Sequence, residues 1–258
     1  MKIPADHPEF IVVIPARLNS TRLPGKPLLD IGGKPMVLWV VQRALASQAT
    51  AVYVATDDES IRSVCDAAGI KVCMTNPAHP SGTDRIAEVA RQLQLPADTI
   101  VVNVQGDEPL IPPAVINQVA LNLAQRAYAG ICTLYAPIKD DAEFYNPNAV
   151  KLVTDTNGKV LYFSRAPIPY PRDGLTVSTL HQAKRHIGLY AYRVGVLQQF
   201  VQWAPAELEQ VEKLEQLRAM AHGISIHAQE CCMPIPAGVD TPEDLADVRN
   251  YLQNSYQS

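Results

Sequence analysis

Strong charge of either sign is the first thing this sequence lacks. Its 22 Lys and Arg against 26 Asp and Glu leave a formal net charge of −4 over 258 residues, so there is no basic field for a nucleic-acid backbone. Long apolar runs are also lacking. The longest near the N-terminus, Phe10 to Ile14, is far short of the roughly 20 residues of a membrane span or the core of a secretion signal. The expectation is a cytoplasmic protein with no membrane partner. The five cysteines, Cys65, Cys73, Cys132, Cys231 and Cys232, are odd in number and have no CxxC spacing, which argues against a disulfide framework and for reduced thiols. GxGxxG, HExxH and GxSxG are all absent, and Gly33-Lys34 is followed by Pro35 where a Walker A loop needs Ser or Thr. Dinucleotide oxidoreductases, zinc peptidases, nucleophile-elbow hydrolases and P-loop ATPases thereby lose their sequence support.

What is present is a composition able to bury a core, 47% hydrophobic and 19% charged, as in ordinary globular chains. Phe10 to Ile14 is a β-branched run that reads as a buried strand, and the loop from Pro15 to Lys26 after it holds Arg17, Arg22 and Lys26. Pro35 then opens an apolar-periodic helix to about Gln48. Strands over 51–55 and 71–74 with a helix over 60–68 between them continue an alternation that predicts an α/β fold. The sheet is expected to be mostly parallel and Rossmann-like, with helices on both faces. A loop over 76–83 precedes a helix to Gln94, and a second buried strand over 99–104 breaks at Gln105-Gly-Asp-Glu-Pro109 before a helix opened by Pro112-Pro113. Open α/β sheets bind ligands beyond the carboxyl ends of their strands, so Arg17 and Asp107 should share one rim.

From Ile131 the pattern changes. A strand over 131–136, a hairpin of 150–154 with 159–163, a polar loop over 167–179, a strand over 186–192 and an amphipathic helix over 207–221 read as a smaller inserted lobe, about 131–221, within a single domain spanning 1–258. Thr241-Pro-Glu-Asp244 carries the cap, proline and acidic first turn of a last helix, directly after Asp240.

Three cations directly after a buried strand, with Gly25 among them, suit phosphate oxygens, though a solvated basic loop has the same composition. Asp107 offers a hard carboxylate where a triphosphate would emerge, and Mg²⁺ is usually held by one or two carboxylates plus substrate phosphates; a turn-forming Asp is the plainer reading. Asp240 reads equally as part of the helix-capping run. Arg165 and His186, with Tyr162, Tyr190 and Tyr192, form a polar-aromatic set suited to a sugar acid, while a strand histidine is more often structural.

Taken together, Ile14-Pro-Ala-Arg-Leu-Asn-Ser-Thr-Arg-Leu-Pro-Gly-Lys-Pro-Leu28, Ser81-Gly-Thr-Asp-Arg85, Val102-Asn-Val-Gln-Gly-Asp-Glu-Pro109, Phe163-Ser-Arg-Ala-Pro-Ile-Pro169, His186-Ile-Gly-Leu-Tyr190, Leu214-Glu-Gln-Leu-Arg218 and Gly238-Val-Asp-Thr-Pro-Glu-Asp-Leu245 resemble the 3-deoxy-D-manno-octulosonate (Kdo) cytidylyltransferases of the sugar nucleotidyltransferase superfamily over nearly the whole chain. The resemblance implies transfer of CMP from CTP to the anomeric hydroxyl of Kdo with release of pyrophosphate, giving CMP-Kdo for lipopolysaccharide biosynthesis. By the same resemblance Ala16, Arg17, Arg22, Lys26, Ser81, Arg85 and Gln105 would bind CTP. Arg165, His186, Tyr190, Glu215 and Gln216 would bind the sugar acid, and Asp107 and Asp240 would hold Mg²⁺. Arg17, Lys26, Asp107 and Asp240 would carry the catalysis, and the protein would be a homodimer. Cytidylyltransferases for 8-amino-Kdo or sialic acid are the near alternatives, and a nucleotide-binding regulator without turnover the distant one.

Overall fold

A computed structural model describes residues 8–18, 23–180 and 182–255. The first half alternates strand and helix. β1 (Phe10–Pro15) leads through a single 3₁₀ turn (Lys26–Leu28) and a two-residue ribbon, β2 (Asp30–Ile31) with β3 (Lys34–Pro35), into α1 (Met36–Leu45). There follow β4 (Ala51–Thr56), α2 (Glu59–Ala67), β5 (Lys71–Met74), α3 (Gly82–Gln92), β6 (Ile100–Asn103) and α4 (Pro113–Gln125). Their starts follow local chemistry: the Asp58 side chain accepts from the amides of Ser60 and Ile61, Ser81 accepts from the amide of Asp84, and α4 begins at a proline, whose missing N–H costs nothing in a first turn.

The second half brings β7 (Ile131–Pro137), α5 (Asp141–Tyr145), β8 (Lys151–Thr154), β9 (Val160–Ser164), α6 (Val177–Leu180), β10 (Lys184–Arg193), α7 (Val194–Phe200), α8 (Glu207–Glu212), α9 (Gln216–Ala221), β11 (Ile226–Glu230) and α10 (Pro242–Ser255). The main sheet runs β11-β7-β10-β6-β1-β4-β5. β6, β1, β4 and β5 are mutually parallel, as are β7 and β11, while β10 runs antiparallel between β6 and β7. Two of the strands in the span read as an inserted lobe, β7 and β10, therefore lie inside the main sheet. The hairpin β8–β9 stands off it, joined through β8 to β10.

Both faces of β1 are buried, as a central parallel strand requires. Phe10, Val12 and Ile14 meet α1, α2 and α4 on one side, and Ile11 and Val13 meet α3 and α7 on the other. A smaller cluster packs α10 through Leu245, Val248 and Leu252 onto Ile31, Met36 and Trp39, which brings the chain's last helix back to the loop after β1. No helix among the described residues is long and apolar enough to cross a membrane.

The stretch 207–221, read as one helix, is two. Lys213 adopts the left-handed conformation, φ 54° and ψ 47°, and its amide closes α8 on the carbonyl of Glu209. The kink turns Leu214 inward to 6% exposure and restarts the helix at Gln216. Across the break Arg218 grips Glu209 with two bonds of 2.9 and 2.5 Å.

Candidate active site

β1, β4 and β6 end on one edge of the sheet, and the loops beyond them interlock by main-chain contact. Gly106 lies so close to β1 that a Cβ there would sit 2.8 Å from the Pro15 carbonyl oxygen, inside van der Waals contact, so only glycine fits. The next residue, Asp107, accepts a 2.8 Å bond from the Val239 amide at its carbonyl, which sets Asp240 beside it. Asp240 is held in turn by capping of α10: the amides of Asp240 and Thr241 both donate to Asp244 Oδ2, at 2.9 and 2.8 Å, and the Asp244 amide donates to Thr241 Oγ1 at 3.2 Å. On the loop after β1, Gly25 in the left-handed region (φ 68°) starts the 3₁₀ turn and aims Lys26 at this pair.

The result is a three-residue centre. Lys26 Nζ donates to Asp107 Oδ2 at 2.8 Å and to Asp240 Oδ1 at 3.0 Å, residues 81 and 214 positions away. Two carboxylate oxygens aimed at one cationic position suit Mg²⁺, a hard ion that takes a few protein oxygens and leaves its remaining positions to phosphates and water. No group of three or more His, Cys, Asp or Glu converges among the described residues, so a metal held wholly by protein is not what this edge offers. Glu108, next along, has its Oε2 buried without a partner. Burial first, and then the charge of Asp107, push its carboxyl up to about 8.

Arg17 is exposed on the same edge, and Ala16 is buried beneath it, its amide on the Ala55 carbonyl at 2.9 Å. Ser81 caps α3. Arg85 is 3% exposed; its guanidinium bonds Thr75 Oγ1 at 2.6 Å and pairs with Asp57 at 3.3 Å, so it braces the loops after β4 and β5. Gln105 lies in the turn beyond β6, where its carbonyl accepts from the Glu108 amide. Arg22 lies outside the described residues.

A second group gathers at the end of β10 that pairs with β6, where Tyr190 lies opposite Asn103 and Tyr192 opposite Val101. Tyr190, Tyr192, Glu215 and Gln216, with Ile131 and Phe200, line a cavity of about 30 Å³. Tyr190 Oη and Gln216 Nε2 are buried there without partners among the described residues, and two donors unpaired in a protein interior point to a missing polar ligand or water. His186 packs edge-on to Phe163 and against Tyr190, ring centroids 5.1 and 5.3 Å apart. Its Nε2 lies 3.1 Å from Thr133 Oγ1. That hydroxyl reaches the carbonyls of Ile187 and Leu189 at 2.8 and 2.9 Å, so its single proton belongs to them and the ring nitrogen is the donor. Arg165 stands apart from the cavity lining: its guanidinium bonds the carbonyls of Glu212 (2.6 Å), Pro147 (2.9 Å) and Lys213 (3.4 Å), and so it ties the end of β9 to the α8–α9 corner.

Residue-by-residue reading passed over Thr83, whose hydroxyl bonds Glu215 Oε2 at 2.6 Å, and Thr133. Neither is visible in local spacing, because each acts across strands or helices distant in sequence. The buried Lys151, at 0% exposure, is another: its ammonium donates to the carbonyls of Asn146 (2.9 Å) and Arg165 (2.8 Å).

His186 gives a pH prediction. Burial, and then the Arg185 charge, depress the ring to about 3, whereas in the unfolded chain it protonates near 6.5. Between these values the unfolded chain binds the additional proton, so this contribution to stability is complete above pH 6.5 and is lost as the pH falls toward 3. Going from pH 7 to 5, urea unfolding should show wild type losing about 2 kcal/mol more than His186→Gln. A His186 ring signal that titrates above pH 6 by NMR would contradict it.

Residues 11–226 match the family model described as Cytidylyltransferase. The chain is 56% identical over 250 residues to a 3-deoxy-manno-octulosonate cytidylyltransferase of Cellvibrio japonicus, covering 95% of this chain and 98% of that one. It is 54% identical to the protein of the same name from Vibrio cholerae, covering 96% and 99%. Among solved structures it superposes with a CMP:2-keto-3-deoxy-manno-octonic acid synthetase complexed with CTP, at a TM-score of 0.88 and 42% identity over 96% of this chain and 100% of that one.

Proposed function

Because this chain belongs to the cytidylyltransferase family, we propose that it moves CMP from CTP to the anomeric hydroxyl of Kdo and releases pyrophosphate. The observation that carries this reading is the Lys26–Asp107–Asp240 centre, set on the strand-end edge of the sheet alongside the cavity of Tyr190, Glu215 and Gln216. One half has the charges for a nucleoside triphosphate and the other has donors and a carboxylate for a polyhydroxylated acid.

In the proposed reaction the sugar hydroxyl attacks the α-phosphorus in line, and pyrophosphate departs. A polyanion repels both the hydroxyl oxygen and the sugar carboxylate, so the site has to neutralise charge and hold the two reactants in register. Arg17, Arg22 and Lys26 do this on the triphosphate. Tyr190 and Gln216 direct their unpaired donors to sugar oxygens, and Glu215 accepts from sugar hydroxyls. Neutral His186 stiffens the wall behind Tyr190. Asp107 and Asp240 are the residues that would hold Mg²⁺, which when bound supplies Lewis-acid stabilisation of the phosphoryl oxygens. Ser81, Arg85, Gln105 and the backbone at Ala16 shape the nucleotide side. No covalent protein intermediate is needed.

We also read the protein as a cytoplasmic homodimer. Supporting a paired copy, β9 forms a ladder only with β8 among the described residues, and Leu161, Leu208 and Val211 are exposed close to that hairpin.

The test is a substrate matrix. Purified protein with Mg²⁺ is given CTP, UTP or ATP and, with each, Kdo, 8-amino-Kdo or sialic acid, and pyrophosphate is measured. CTP with Kdo is expected to be the fastest pair by at least about tenfold, the discrimination a pocket that hydrogen-bonds its ligand readily supplies. Bound CTP with no pyrophosphate from any acid would leave a regulator rather than an enzyme.

A further inference from the structure

The cavity wall that carries Glu215 is not held by its own helix. α9 restarts after the left-handed turn at Lys213, and among the described residues of that short segment none hydrogen-bonds the Glu215 carboxylate. The fixing bond comes from the opposite side, from Thr83 in the first turn of α3, 132 residues earlier in the chain, at 2.6 Å. Thr83 is 3% exposed. Tyr192, on β10, lines the same cavity. A carboxylate can only accept, so the single hydroxyl proton of Thr83 goes to Glu215. Oε1 of Glu215, by contrast, accepts no bond from the described residues.

We infer that Thr83 is a positioning residue for the sugar acid: by holding Oε2 of Glu215, it presents Oε1 as the acceptor for a substrate hydroxyl. The inference rests on the proposed sugar-acid reading of this cavity. It also gives α3 a double task, since Ser81 and Arg85, on either side of Thr83, face the nucleotide loops while Thr83 faces the sugar wall. One rigid first turn then sets the spacing between the two substrates.

Only the hydroxyl is at issue, so the variants separate it from bulk. Thr83→Val keeps the branched shape and removes the bond, and Thr83→Ser keeps the bond and removes a methyl. A hydrogen bond to a charged group contributes about 1.5–3 kcal/mol, which corresponds to a rise in KM for Kdo of about 10- to 100-fold in Thr83→Val. KM for CTP is expected to stay within about twofold and kcat within about threefold, because the bond holds a ground-state contact with the sugar alone. Thr83→Ser should return KM for Kdo to within about threefold of wild type. The inference is overturned if Thr83→Val leaves KM for Kdo unchanged, if Thr83→Ser is as impaired as Thr83→Val, or if KM for CTP rises in parallel. Should Thr83→Val be insoluble, Thr83→Ala and Thr83→Ser decide it by the same two constants. Wild type that turns over no sugar acid removes the substrate reading itself, a result distinct from any pattern among the variants.

Discussion

Asp107→Ala is expected to lower kcat about 10³-fold, near 4 kcal/mol at 1.36 kcal/mol per decade, with CTP still bound. The size follows from what the carboxylate faces. Asp107 Oδ2 and Asp240 Oδ1 address a single cationic position, so removing one halves the protein's ligands for the divalent ion that the proposed reaction places at the phosphates. The cations that the same proposal assigns to the triphosphate are untouched. CTP affinity measured by calorimetry without metal should therefore stay within about threefold, and it should rise if anything, since a negative charge has left a site that binds a polyanion. Asp107→Asn should be nearly as inactive, because an amide matches the shape and lacks the charge. Wild-type kcat in Asp107→Ala at saturating Mg²⁺ would show that this carboxylate holds no catalytic ion.

Lys26→Met has an effect of similar size on a different constant. The ammonium is 12% exposed and bridges both carboxylates, and the proposed reaction hands the same group to the triphosphate. Met preserves the length and flexibility of the chain without the charge. kcat/KM for CTP is expected to fall about 10³-fold through loss of a charge-assisted contact in a partly buried site. Thermal stability gives an independent reading. In wild type without nucleotide a divalent ion and the ammonium compete for the same oxygens, and in the variant the two carboxylates face each other unneutralised. Mg²⁺ should accordingly raise the Tm of Lys26→Met by several degrees more than that of wild type, as preferential binding to the folded state requires. Equal shifts would place the metal elsewhere.

Much of this was legible in the sequence because it is local. Phe10 to Ile14 is apolar at every position and could only be a strand buried on both faces, so the loop after it had to lie on a sheet edge, as the described part does. Asp107 follows from the same logic applied to β6. The hairpin of β8 and β9 was marked by Asp155-Thr-Asn-Gly158 between two apolar runs. Asp240 came from the family resemblance alone, since its place beside Asp107 depends on a main-chain bond from Val239 that no periodicity announces. The insertion of β10 between β6 and β7 was hidden for a related reason: pattern tells whether a strand is buried, and both neighbours bury it equally. The break at Lys213 escaped notice because a lysine in left-handed backbone carries none of the glycine signal that usually marks such a turn. Thr83 stands inside the Ser81–Arg85 motif, yet no spacing reveals its role, since its partner Glu215 lies on the far side of the cavity.

The contact at Gly106 makes the loops after β1 and β6 a single mechanical part. A Cβ at Gly106 would meet the Pro15 carbonyl oxygen at 2.8 Å and Ala16 at 3.8 Å, so the two loops leave no room for a side chain at this point. Slack introduced into either would be passed directly to the gap in which phosphate must meet hydroxyl.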